Sequence, residues 1–195
     1  VFNKPPGLPF LSVFSAAAIF LLIWASFPSW YGIETFKFGI PIGFGLILYW
    51  TIRITWADHK AEAPVGSLNR ALVPWYIAIA VGAALITNAP FWIRYTSSEA
   101  SLRAYATAVD ENPGRKEPCQ WVGLYYVCDG KRYDDLLTGE QIPGSARLIV
   151  QDLFGQDDKG FVWLTSGEPD ENADGGDRYS HLEGYWYSYR YDSSW

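Results

Sequence analysis

The chain has 195 residues and a net charge of −6, room for one or two domains, and 49% of its residues are hydrophobic. The acidity belongs to the second half: Lys4 is the sole charge before Glu34, whereas 152–192 is dense in Asp and Glu. Nucleic acid is excluded as a partner, because phosphate binding needs clustered Lys and Arg and the basic runs here, Arg115-Lys116 and Lys131-Arg132, are only pairs.

Three uncharged apolar stretches fill the first half: Pro5 to Ile33, Phe38 to Ile52 and Ala71 to Ile93. A helix needs roughly 20 mainly apolar residues to cross a ~30 Å hydrocarbon core. The pattern therefore predicts a membrane protein with three transmembrane α-helices, at about 8–30, 38–57 and 71–94, in a membrane domain covering 1–95. The first stretch is too long for the apolar core of a signal peptide and ends in the bulky Phe27-Pro28-Ser29-Trp30-Tyr31. The chain begins without Met, so residues before Val1 are expected. Gly39, Gly43 and Gly45 in the second stretch, and Ala80, Gly82 and Ala84 in the third, form small-residue faces suited to close packing on partner helices.

The connection 57–70 carries Lys60 and Arg70, with Arg53 just before it, against Lys37 and Glu34 in the preceding connection. By the positive-inside rule it is cytoplasmic. Three spans then place the N-terminus in the cytoplasm and 96–195 outside a bacterial plasma membrane.

Thr96-Ser97-Ser98-Glu99 reads as a helix start leading into Ala100 to Val109, either a separate helix or a continuation of the third span, closed by Asn112-Pro113-Gly114. Strand signals follow at Gln120 to Cys128, Ala146 to Phe154, Phe161 to Thr165 and Gly184 to Tyr191. One helix with four or five strands predicts a small α+β extracytoplasmic domain of helix and antiparallel sheet. In its last strand Tyr185, Tyr187, Tyr189 and Tyr191 alternate with other residues at the period of two of a sheet face. That stripe is either the core of the sheet or an exposed surface for partners or sugars.

Cys119 and Cys128 are the two cysteines. On one straight strand they stand ~30 Å apart and cannot bond. A hairpin turning at Gly123-Leu124 instead pairs 119 with 128, and the two readings are a cross-strand disulfide or free thiols ahead of an Asp129-Gly130 turn. Asp170, Asn172, Asp174 and Gly175 match the first half of an EF-hand loop, with Asp177 nearby, but His181 stands where the bidentate Glu belongs. An exposed acidic loop and a weak calcium site are the alternatives. His59 and His181 lie in no recognisable nucleophile arrangement, and no haem, phosphate-loop or metalloprotease motif occurs. The sequence names no cofactor and no catalytic residue.

Ser98-Glu99-Ala100-Ser101-Leu102, Trp121-Val122-Gly123-Leu124-Tyr125, Gly160-Phe161-Val162-Trp163 and His181-Leu182-Glu183-Gly184-Tyr185-Trp186-Tyr187 follow the apolar stretches in order. In this the chain resembles small multi-span membrane proteins of actinobacteria, the high-GC Gram-positive bacteria, with a C-terminal extracytoplasmic domain. The resemblance implies a bacterial plasma-membrane setting. The expected function is a non-catalytic accessory or assembly subunit of a membrane protein complex, with the lipid bilayer and other integral membrane subunits as partners. The competing reading is an extracytoplasmic calcium- or carbohydrate-binding protein, or a membrane-anchored enzyme.

Overall fold

The computed structural model describes residues 7–28, 40–60, 68–114, 118–134, 139–151, 159–169 and 177–191. Among the described residues four helices precede six strands: α1 (Leu8–Trp24), α2 (Ile40–Lys60), α3 (Leu68–Ile86), α4 (Ala89–Glu111), β1 (Gln120–Val122), β2 (Tyr125–Lys131), β3 (Ser145–Val150), β4 (Lys159–Leu164), β5 (Asp177–His181) and β6 (Trp186–Tyr191). They form two compact units, one of Val1–Ala25 with Tyr31–Pro90 and the other of Ser26–Trp30 with Phe91–Trp195.

In the first unit α1 and α2 both pack on α3, and Phe10 stacks on Trp50 at 4.9 Å between ring centroids. The expectation of three transmembrane helices at 8–30, 38–57 and 71–94 is corrected here: among the described residues no single helix is long and apolar enough to cross a membrane. α1 has 17 residues. At 1.5 Å per residue it reaches ~25 Å against a core of ~30 Å. α2 has 21 residues but runs through Arg53 into Asp58-His59-Lys60, so its apolar part is short and His59 sits on the helix rather than in a loop. The third stretch is broken at Thr87-Asn88, where Asn88 has φ 53°. Such a left-handed backbone stops a helix, and Asn tolerates it better than most residues. Among the described residues, Leu72–Ile86 and Ala89–Glu111 have together the length and apolar composition of a broken span or a re-entrant loop.

α4 is continuous through Thr96-Ser97-Ser98-Glu99, which therefore start no helix. Thr96 and Ser97 instead donate their hydroxyls to the carbonyls of Trp92 and Ile93 four residues back, at 2.8 and 2.7 Å. Inside an existing helix these hydroxyls satisfy the preceding turn rather than cap a new one. Phe91, Tyr95, Ser98, Leu102, Tyr105, Ala106 and Val109 are its buried residues, at spacings of three and four.

The six strands make one antiparallel sheet in the order β1-β2-β3-β4-β6-β5. Phe161 is the centre of its helix-side core: its ring lies 5.8 Å from Tyr95, 5.0 Å from Tyr125, 6.2 Å from Trp186 and 6.5 Å from Phe91. Neighbouring residues of a strand point to opposite faces, so Val162 and Leu164 serve a second core on the other side. There they pack with Tyr133, Tyr179 and Tyr189, flanked by Ile142 and Tyr187. The strand absent from the sequence reading is β5, whose Asp177-Arg178-Tyr179-Ser180-His181 lacks an apolar run because it pairs on one side only, with β6.

Candidate functional site

Two features stand out, one in each unit. In the helical unit the large apolar side chains point outward on all three helices. Val13 and Ile19 of α1, Ile42, Phe44 and Ile52 of α2, and Tyr76, Ile79 and Ile86 of α3 are each more than half exposed, reaching 87% at Ile86. The small residues open onto the same kind of surface: a Cβ added at Gly43, Gly45 or Gly82 meets no atom within 4 Å. Ala80 is exposed and Ala84 half-buried. Among the described residues nothing covers these glycine positions, and Gly39 lies outside the described residues.

In the α+β unit the notable group is Arg94. Its guanidinium lies between two aromatic rings, 4.2 Å from the Phe27 centroid and 4.5 Å from that of Tyr125. Nη1 donates to Ser26 Oγ at 2.9 Å, while Nε donates to the Leu124 carbonyl at 3.0 Å, which Nη2 also reaches. The Tyr125 hydroxyl donates to the Ser26 carbonyl at 3.3 Å. The planar fork of arginine can hydrogen-bond at its edge while both faces stack on rings. Burial pulls the guanidinium's pKa down and the Tyr125 phenol acts in the opposite direction. It keeps its proton all the same, since arginine is charged throughout the working range of proteins. Burial raises the Tyr125 pKa, with Arg94 opposing the rise and Tyr95 adding to it.

Arg94 thus ties residues 26 and 27 to α4 and to the β1–β2 turn. Ser98 completes the attachment: its Oγ accepts the Leu124 N–H at 2.9 Å. At Gly123 an added Cβ would come within 2.7 Å of Ser98 Cβ. Gly123 has φ 62° and Leu124 no positive φ, the type II′ pattern that favours glycine first. The register is 122 with 125, 121 with 126 and 120 with 127, and Cys119 and Cys128 are joined one step further on, with Cα atoms 4.2 Å apart. Asp129, with φ 50°, stands in a bulge of β2 between Cys128 and Lys131 rather than in a hairpin turn.

The Tyr stripe divides between both of its readings. Tyr189 is fully buried and Tyr187 half-buried, whereas Tyr185 and Tyr191 are 58% and 47% exposed. Tyr185 precedes β6 and sits in the turn where Gly184 has φ 59°. Asp170, Asn172 and Asp174 lie outside the described residues, and Asp177 opens β5. Among the described residues no three His, Cys, Asp or Glu side chains gather as a metal site. The exposed His181 Nε2 lies 3.0 Å from the Gly184 carbonyl, and its ring is 4.9 Å from Tyr187. Sequence reading missed the structural tie made by Arg94 and used the residue only as a boundary. A lone arginine at the end of an apolar stretch, with aromatics before and after it, is the signal that could have found it.

No protein-family model, curated protein or solved structure matches this chain.

Proposed function

We propose that the chain is a non-catalytic accessory or assembly subunit of a bacterial membrane protein complex, held by partner helices that cover the apolar faces of α1, α2 and α3. The observation carrying this reading is the exposure of Phe44, Ile79, Ile86 and their neighbours on every helix of the first unit. Large apolar side chains exposed in such number are what a partner surface would cover, and the open glycine positions permit close helix approach. The reading does not require any of these helices to cross the bilayer by itself. It places the α+β unit on the extracytoplasmic side, supported by the Cys119–Cys128 disulfide, since disulfides persist in oxidising compartments.

The test is purification of the full chain in mild detergent with mass spectrometry of stoichiometric companions, repeated with Phe44→Lys and Ile79→Lys. The expected outcome is a defined complex that both substitutions dissociate while Trp121→Ala leaves it intact. A monodisperse, partner-free monomer overturns the reading. A second reading, carbohydrate binding by the α+β unit, has one observation in its favour: Trp121 is 68% exposed with its ring 5.4 Å from that of Tyr126. Tyr and Trp faces stack on sugar rings, and quenching of Trp121 fluorescence by soluble glycan fragments, lost in Trp121→Ala, is the result that reading requires.

A further inference from the structure

The β1–β2 hairpin is fastened differently at its two ends. At the turn, Leu124 donates its N–H to Ser98 Oγ and accepts from Arg94 at its carbonyl, and Val122 is buried. At the open end Cys119, Gln120 and Trp121 are all exposed, β1 is an edge strand of three residues, and the disulfide to Cys128 is the covalent tie. In a two-residue hairpin the closing pair 122 and 125 exchanges hydrogen bonds, so 120 with 127 is the next bonded pair and 119 with 128 a narrow non-bonded one. The outer half of β1 is therefore held by one backbone pair and one S–S bond.

We propose that this disulfide is an exchangeable latch on the sheet edge, opened by a dithiol reductant that attacks at Cys119. Cys119 is exposed, whereas Cys128 is 3% exposed beneath it, and exchange depends on which sulfur a thiolate can reach. The reductant's thiolate bonds to the Cys119 sulfur as the Cys119–Cys128 bond breaks. The electron pair leaves on the Cys128 sulfur, which takes up a proton. The second thiol of the reductant then displaces Cys119 from the mixed disulfide and Cys119 is protonated in turn. Two electrons have passed to the protein, and the dithiol has become a disulfide. Once open, the outer half of β1 frays while the turn stays on α4. The Val127 N–H and carbonyl on the edge of β2 are then uncovered.

The latch stands independently of the docking role of the helical unit. Its test uses the full oxidised chain in two measurements. Brief exposure to reduced glutathione, acid quenching and peptide mapping should find the first adduct on Cys119 at least tenfold over Cys128. Hydrogen exchange after dithiothreitol should accelerate at least tenfold at the Gln120 amide, while Leu148 in β3 and Phe161 in β4 remain protected. A first adduct on Cys128, unchanged exchange at Gln120, or lost protection across β3 and β4 each overturns the proposal.

Discussion

The two units spend similar side chains in opposite directions. In the helical unit Phe44, Ile79 and Ile86 face outward, while Trp50 is one of the few large side chains fully covered. In the α+β unit Tyr95, Tyr125, Phe161, Trp186 and Tyr189 are almost wholly enclosed, on both sides of the sheet. A hydrophobic composition thus specifies burial but not by what. Six registered strands and α4 supply the cover in one case, and in the other three helices alone leave most of their circumference uncovered. The α+β unit is accordingly expected to carry its own stability, and the helical unit to depend on its surroundings.

The strongest way to break that comparison is to hollow out the better-packed unit. Phe161→Ala removes the ring on which four other rings converge and should cost about 3–5 kcal/mol in denaturant unfolding. Hydrogen exchange in α1 should stay as it was; a loss of similar size in both units would show that the α+β unit does not carry its stability alone. Arg94→Ala removes the hydrogen bonds to the Leu124 carbonyl and the Ser26 hydroxyl and the cation from two rings, an expected loss of about 1–3 kcal/mol. Arg94→Lys should recover less than half of it, because an ammonium cannot bond at its edge and stack on both faces. Full rescue by lysine would reduce the clamp to a point charge. Replacing Cys119 and Cys128 together by Ala should lower stability by roughly 2–3 kcal/mol, through the lost constraint on the unfolded chain. A pair with unchanged urea midpoint would make the bond dispensable.

The pH dependence sharpens the same contrast. Burial raises the Tyr125 pKa in the fold, so the folded state holds that proton more firmly than the unfolded chain, whose phenol titrates near 10. The resulting stability is complete below about pH 10 and declines as pH rises beyond it. Urea midpoints between pH 8 and 11 should fall at the alkaline end, and less steeply in Tyr125→Phe. An identical slope in that variant would assign the decline to other groups. The smallest effect belongs to the exposed helix faces: Phe44→Ser and Ile79→Ser should each alter the isolated chain's stability by no more than about 0.5 kcal/mol. A larger cost would mean that these side chains are already buried by the chain itself.

Hydrophobic runs and period-two alternation made much of the secondary structure legible before any coordinates. The strands containing Val127, Leu148, Phe161 and Tyr189 stand out by β-branched and aromatic content, and the helix around Leu102 and Val109 by its spacing. The helical half misled because an apolar stretch reports length without reporting continuity. Whether 71–94 is one helix or two turns on the backbone of a single residue, Asn88, and the charged end of α2 folds into the same helix as its apolar start. β5 escaped because an edge strand has too few neighbours to impose a hydrophobic pattern. The acidic stretch 170–176, which carries the calcium reading, lies outside the described residues.

Sequence by itself determined the division of character between the halves and the feasible cysteine pairing. Charge and hydropathy are properties of residues in order, and a Gly-Leu turn fixes which positions face each other nearby. Tertiary structure alone decided that Arg94 is enclosed by Phe27 and Tyr125, that Tyr189 is buried while Tyr191 is exposed, and that Gly123 touches Ser98. Those outcomes depend on segments separated by tens of residues meeting in space, and no local pattern records a contact made across such a distance.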